Sequence, residues 1–159
     1  MATLRSAGIL LFRRTGGGTE FLLVHPGGPF WARRDAGAWS IPKGQIEEDE
    51  EPRACAIREL GEELGPVPPL RTDQLLELGT IRQRAGKVVE AWAAEGDFDP
   101  ARLDSNTFSF EWPPRSGKEQ EFPEVDRAEW FALAAAREKI IPAQAEFLDR
   151  LLEHLERGG

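Results

Sequence analysis

The order of apolar and polar residues divides the chain into short extended runs near its start and two helical stretches further on. Residues 6–13 (SAGILLFR) and 20–25 (EFLLVH) are compact apolar runs separated by RTGGGT. Runs of that length around a glycine-rich break predict two strands of a β-hairpin. Residues 26–37 (PGGPFWARRDAG) carry Pro, Gly and Asp at loop density, with Phe30 and Trp31 as large apolar side chains inside the loop. From Pro52 to Leu64 the apolar residues Ile57, Leu60 and Leu64 recur at intervals of three and four, which predicts one stripe of an amphipathic helix. Pro52 suits the first helical turn, and Gly65 followed by Pro66 suits its end. Beyond the linker GPVPPLRTD, residues 75–84 and 87–95 predict a second hairpin around AGK, and TFSFEWPP predicts a strand ended by two prolines. Residues 132–157 predict helix broken at Pro142, with Phe147, Leu148, Leu151, Leu152 and Leu155 as the stripe of the longer final segment. Mixed strands with one central and one terminal helix point to an α/β sandwich rather than a regular βαβ repeat. At 159 residues and 40% hydrophobic content, residues 1–159 are expected to form one domain around a buried core.

The polar side of the central helix adds chemistry to this outline. The segment PKGQIEEDEEPRACAIRELGEELG, residues 42–65, is dense in acids, and Glu59, Glu62 and Glu63 crowd beside Arg58. On a helix, Glu62 and Glu63 lie three and four positions beyond Glu59, so the three carboxylates fall within about 100° of one another. Ile57, Leu60 and Leu64 are expected on the opposite side. Two readings are open at this point: a solvated outer face, or a cation site. The acids stand in the last helical turn, where the helix dipole disfavours them, and each like-charged pair costs a few tenths of a kcal/mol. A hard divalent cation would turn that repulsion into binding, because Mg²⁺ or Mn²⁺ prefers carboxylate oxygens and keeps waters or substrate phosphates as its other ligands.

Charge and composition narrow the partners. A formal net charge of -8 argues against unaided binding to duplex nucleic acid, whose affinity rests on Lys and Arg neutralising phosphates. The single cysteine, Cys55, excludes an intramolecular disulfide and a cysteine-rich zinc site, and reads as a small buried helix residue. No apolar run approaches the roughly 20 residues of a membrane helix, and the opening MATLRSAGILLFRR is too short and wrongly flanked for a signal peptide. A cytoplasmic protein, monomer or homodimer, with no membrane partner is expected.

The order Gly44, five residues, Glu50, seven residues, Arg58-Glu59-Leu60, one residue, Glu62-Glu63, one residue, Gly65 resembles the Nudix box. Only the closing aliphatic position departs from that pattern, with Pro66 in its place. WSIPKG (residues 39–44) is similar to Nudix enzymes that cleave dinucleoside polyphosphates and RNA 5′ ends, and PEVDRAEWF (residues 123–131) resembles a segment of the same enzymes. This MutT-like resemblance implies an α/β/α sandwich with a mixed sheet, a box helix and a C-terminal helix. It also implies hydrolysis of a nucleoside diphosphate linked to a further group X, with Mg²⁺ or Mn²⁺ and a small nucleotide as substrate.

Carried over to this chain, the resemblance makes Glu59, Glu62 and Glu63 metal ligands, with the Gly44 carbonyl a further one, and pairs Arg58 with Glu50. A guanidinium fork can hold a carboxylate through two parallel hydrogen bonds, a role lysine fills less well. Glu124 is the expected distal ligand or general base, with Glu121 its rival and Glu63 a third possibility. Lys43, Arg33 and Arg34 are expected to steady the phosphates, and Phe30, Trp31 and Trp112 offer stacking faces that accept any base. Arg82, Arg84, Arg115 and Lys118 read as solvated charges. Core packing is expected for Trp39 and Trp130, and a structural or surface role for His25 and His154. The family acts on many substrates with nearly one box. A dinucleoside polyphosphate such as diadenosine tetraphosphate is the favoured substrate, with a housecleaning (d)NTP pyrophosphatase and a non-catalytic nucleotide sensor as alternatives. The chain has no tyrosine, although a stacking tyrosine is common in the dinucleoside polyphosphate branch.

Overall fold

The computed structural model describes residues 4–67, 70 and 72–158; Pro68, Pro69 and Arg71 of the expected linker lie outside them. The first hairpin forms from β1 (Arg5–Thr15) and β2 (Gly18–Pro26), closed by Gly16 and Gly17 with Thr15 opposite Gly18. β3 (Lys43–Gln45) is a three-residue strand paired with β1, too short for the sequence pattern to show. The central helix α1 spans Pro52–Leu64, as its apolar spacing predicts. The second hairpin, β4 (Leu76–Arg82) and β5 (Val88–Glu95), turns through a tight bend in which Ala85 takes a positive φ. β6 (Thr107–Glu111) ends at the proline pair and pairs with β7 (Glu119–Pro123), and β8 (Val125–Ala132) follows at once. The C-terminal stretch divides into α2 (Leu133–Lys139) and α3 (Ala145–Gly158), separated around Pro142.

The main sheet runs β4-β5-β1-β2-β8, with β3 attached to β1, while β6 and β7 form a separate two-stranded ribbon. β1 pairs parallel to β5 and antiparallel to β2, so the sheet is mixed. Successive strand residues point to opposite faces, and both faces are covered. Leu10 and Phe12 of β1, with Phe21 and Leu23 of β2, join Ala136 of α2 and Phe147, Leu148 and Leu151 of α3 on one side. Ile9 and Leu11, with Leu22 and Val24, meet Cys55, Ala56, Leu60 and Leu64 of α1 on the other. The result is an α/β/α sandwich. Burying a leucine side chain of this kind contributes roughly 2 kcal/mol, so Leu60 and Leu64 hold α1 firmly to the sheet.

Two expectations change here. Glu59 is not a solvated outer-face acid: it is 8% exposed, its carboxylate lies against Gly44 of β3, and it shares one Arg58 nitrogen with Glu62. Residues 119–132 are strand, a feature their mixed polar pattern hides. β8 alternates poorly, with Val125, Ala128 and Trp130 packed on the α1 side and Phe131 on the other, and β7 is exposed along most of its length.

Candidate active site

α1 meets the sheet where β3 crosses its first turns, and this junction gathers the acidic residues. The close approach depends on Gly44: a Cβ there would stand 2.0–2.2 Å from the carboxylate atoms of Glu59. The Gly44 carbonyl itself faces the Cys55 thiol at 3.6 Å. Burial pushes that thiol up to about 12, so Cys55 stays protonated and inert, in keeping with its reading as a packing residue.

Arg58 organises the outer half of the cluster. Its Nε donates to Glu50 Oε2 at 2.8 Å and its Nη2 to Glu50 Oε1 at 2.9 Å, the two-pronged pair that the resemblance implies. Nη1 donates at 3.0 Å to both Glu59 Oε1 and Glu62 Oε2. The Arg58 bonds, helped by the Glu47 amide, hold Glu50 down to about 2. The same bonds, led by that to Glu50, raise the guanidinium further above its ordinary value. Glu47, Glu48, Asp49 and Glu51 are exposed, so the remaining acids of the segment form a solvated loop.

The inner half faces a cleft. A cavity of about 190 Å³ is lined by Glu63, Glu124, Lys43 and Trp31 together with Val24, Ser40 and Ile141 among others. Glu63 Oε1 accepts the Lys43 backbone N–H at 3.2 Å. Desolvation pushes Glu63 up to about 8 against that hydrogen bond, and pushes Glu59 up to about 6 with the Glu62 charge adding to it. Burial moves Glu124 up as well, and it moves the Lys43 ammonium down although Glu63 opposes that. Carboxyl groups driven toward their neutral forms by burial and by one another are short of positive charge. A larger cavity, about 510 Å³, opens at the far edge of the sheet between Arg14, Glu95 and Leu155, away from every one of these acids.

The donor set fits a hard divalent cation: carboxylates of Glu59, Glu62, Glu63 and Glu124, the first of them seated against Gly44 where a side chain would displace it, and room for substrate oxygens in the cleft. The fit is not that of a closed cage. Among the described residues no three carboxylates converge tightly enough to grip an ion by themselves. Arg58 bridges Glu59 to Glu62, and Glu63 turns away onto the Lys43 amide. The expected convergence of all three box acids therefore requires Glu63 to swing or substrate oxygens to complete the shell.

The remaining expected residues divide. Glu121 bonds Thr107 Oγ1 at 2.8 Å on the outer face of the ribbon, and Glu124 takes the place in the cleft. Arg34 lies over the Trp31 ring at 5.6 Å, while Arg33 is exposed beside it. Phe30 stacks on Phe110 and meets Trp112 edge-on, with centroids 5.5 and 5.6 Å apart, so it belongs to the ribbon's aromatic face and not to the cleft. Trp39 is buried as expected, and Trp130 Nε1 donates to the Phe98 carbonyl. Sequence reasoning missed Gln144, which is buried, accepts the Ile41 N–H and donates to Ser40 and Gln83, tying the approach to Lys43 to the β4–β5 turn. Of the structural or surface role expected for His25, the structure shows the structural one: the ring is buried with both nitrogens bonded. A lone glutamine leaves no periodic signal, so Gln144 was not legible.

Comparison with known proteins bears on the family and the fold. The RNA pyrophosphohydrolase of Roseobacter denitrificans is 52% identical over 40 residues, and that of Hahella chejuensis 46% over 50 residues. Those matches span 24% and 30% of this chain and only 25% and 30% of the relatives' own lengths. In three dimensions the chain is similar to the C. elegans Ap4A hydrolase in a binary complex, with a TM-score of 0.66 and 22% identity over 97% of this chain and 98% of that one. It is equally similar to the NUDIX domain of Shewanella oneidensis NrtR complexed with ADP ribose, with a TM-score of 0.67 and 21% identity over 98% and 90% of the two chains. The NUDIX domain model matches residues 2–151, nearly the whole length, and the chain therefore belongs to the Nudix family.

Proposed function

We propose that this protein is a divalent-metal-dependent pyrophosphohydrolase that cleaves a diphosphate linkage in a nucleoside diphosphate linked to X, with a dinucleoside polyphosphate of the diadenosine tetraphosphate type as substrate. The observation that carries the reading is the single cleft in which Glu63, Glu124, Lys43 and Trp31 meet beside the Arg58-bridged pair Glu59 and Glu62. Glu59, Glu62 and Glu63 would hold Mg²⁺ or Mn²⁺, with Glu124 across the cleft as a further oxygen donor. The bound ion supplies Lewis-acid polarisation of phosphoryl oxygens and acidifies water.

The chain's own residues do the rest. Lys43 presents a cation at the cleft wall to a phosphate, and Trp31 presents an apolar face to a base or ribose. A carboxylate on the cleft, Glu63 or Glu124, accepts the proton of the attacking water, since both border the space in which that water must stand. Arg58 and Glu50 do not line the cleft; they lock the loop before α1 onto the helix and fix the orientation of Glu59 and Glu62. The short matches to RNA pyrophosphohydrolases and the fold shared with an Ap4A hydrolase are consistent with a polyphosphate substrate.

The test is turnover of the purified protein with Mg²⁺ or Mn²⁺ on a panel of diadenosine tetraphosphate, 5′-triphosphorylated RNA, (d)NTPs and ADP-ribose. Highest kcat/KM on diadenosine tetraphosphate supports the reading in full. Preference for (d)NTPs moves it to the housecleaning class, and binding with no turnover of any member makes the domain a nucleotide sensor.

A further inference from the structure

The loop that carries Trp31 is held by a buried histidine. His25, near the end of β2, is 0% exposed. Its Nδ1 lies 2.7 Å from Asp126 Oδ1 and its Nε2 lies 2.6 Å from the Arg34 carbonyl oxygen. The Asp126 carboxylate and the Arg34 carbonyl thus each lie within hydrogen-bond distance of one ring nitrogen, on opposite sides of the imidazole. The ring edge rests on Trp39, 5.2 Å between centroids. One imidazole thus clips three segments: the end of β2, the start of β8 two residues beyond Glu124, and the middle of the loop over residues 27–37.

His25 does not line the cleft, but what it holds does. Between the clip and the cleft, the Arg34 N–H donates to the Trp31 carbonyl at 2.9 Å, and the Arg34 guanidinium covers the Trp31 ring. The loop's first residues are tied by Gly27 N–H to the Glu124 carbonyl at 2.9 Å. A Cβ on Gly27 would stand 1.9 Å from the Pro123 carbonyl oxygen, so this approach is as close as backbone permits. Its last residues are tied by Trp39 Nε1 to Asp35 at 2.8 Å and by Gly37 N–H to the Glu138 carbonyl at 3.0 Å. Without His25 the exposed stretch from Phe30 to Arg34 keeps its own turn bonds and the contacts of Phe30 with the ribbon, while Asp35 next to it stays tied to Trp39 and Lys139.

We propose that His25 is a positioning residue: by holding the Arg34 carbonyl and Asp126 at once, it sets the Trp31 loop as a preformed wall of the carboxylate cleft. The proposal rests on the reading of that cleft as the substrate site. A wall already in place needs no ordering when substrate binds, so the latch acts on substrate affinity and not on the chemical step.

The latch is tested by limited trypsin digestion and by kinetics on His25→Ala, His25→Gln and Asp126→Ala. Cleavage after Arg33 or Arg34 requires that stretch of backbone to leave its place, and the Arg34 carbonyl is the atom His25 holds. In the metal-free wild type that cleavage is expected to be slow. In His25→Ala it should be at least about tenfold faster at these two arginines, with no matching rise after Arg13 or Arg150 in the sheet and α3. Asp126→Ala, an exposed position that leaves the core intact, should show the same pattern if His25→Ala fails to fold. His25→Gln, whose amide nitrogen reaches the place of Nε2, should restore protection. With diadenosine tetraphosphate and Mg²⁺, KM should rise several-fold while kcat stays within about twofold. Unchanged cleavage at Arg33 and Arg34 in both His25→Ala and Asp126→Ala, or a rise shared by Arg13 and Arg150, would overturn the latch. Wild-type protein that turns over no nucleotide counts against the proposed function alone, and the cleavage pattern then decides the latch.

Discussion

Arg58 grips Glu50 through two parallel hydrogen bonds of 2.8 and 2.9 Å and, with its third nitrogen, spans Glu59 and Glu62 at 3.0 Å each. One guanidinium therefore fixes a loop acid and spaces two helix acids. An ammonium cannot do this, because it is a compact point charge without a planar fork. Arg58→Lys should lower kcat/KM by about 10–100-fold, the usual cost of losing a group that orients metal-binding residues, with Tm lowered by only a few degrees. Activity within twofold of wild type would show that the fork is not needed.

Glu63 and Glu121 are predicted to behave oppositely. Glu63 lines the cleft, whereas Glu121 is bonded to Thr107 on the outer face of the ribbon. Glu63→Gln should lower kcat by about 10²–10⁴-fold with the fold intact, and Glu121→Gln should leave kcat within about twofold. A large loss in Glu121→Gln with Glu63→Gln near wild type would reverse the assignment.

The stability of the metal-free protein should depend on pH with a definite sign. Burial raises Glu63 from 4.5 to about 8 and Glu59 from 4.5 to about 6, so between those values the folded protein binds more protons than the unfolded chain. The stability these two groups contribute is fully present below about pH 4.5 and is lost as pH rises through 6 and then 8. Glu50, lowered to about 2 from 4.5 by its bonds to Arg58, acts in the opposite direction, with stability present above 4.5 and lost as pH falls toward 2. In EDTA, Tm should therefore fall between pH 5 and 8, and Glu63→Gln should flatten that fall. A metal-free Tm that climbs steadily to pH 8 in wild type would contradict the buried placement of Glu63.

Saturating Mg²⁺ or Mn²⁺ should oppose the fall, because the ion replaces protons at the same carboxylates. At a concentration 100 times Kd the gain is about 2.7 kcal/mol, which a thermal melt detects easily. The gain should grow with pH and be largely absent in Glu63→Gln. Equal melting curves with and without the ions at pH 8 would remove the metal from the proposed function.

Gly44→Ala tests the junction of β3 and α1. The new methyl would stand 2.0–2.2 Å from the Glu59 carboxylate, so either the acid or the strand must move. Loss of metal-induced stabilisation, together with destabilisation of about 1–3 kcal/mol in urea titration, is the expected outcome. A variant that binds and turns over like wild type would show that Glu59 has slack to give.

Much of the molecule was legible from local rules. Ile57, Leu60 and Leu64 announced α1 because one helical turn repeats every 3.6 residues, and the Arg58–Glu50 pair was legible through the resemblance to the Nudix box, which the planar guanidinium fork supports physically. β7 and β8 were not, because β7 is largely exposed and the buried positions of β8 follow no regular alternation. The burial of Glu59 was misjudged for a related reason: helical phase tells which residues share a side, not which strand will lie beneath them. Only the sheet order brings β3 under α1, sets Glu124 across the cleft from Glu63, and leaves Glu121 and Phe30 outside it. The sequence by itself determined the box and its helix, whose contacts lie within about two dozen residues. The tertiary structure decided which acids face one another, because those distances depend on pairing between strands as distant in the chain as Glu20 and Ala132.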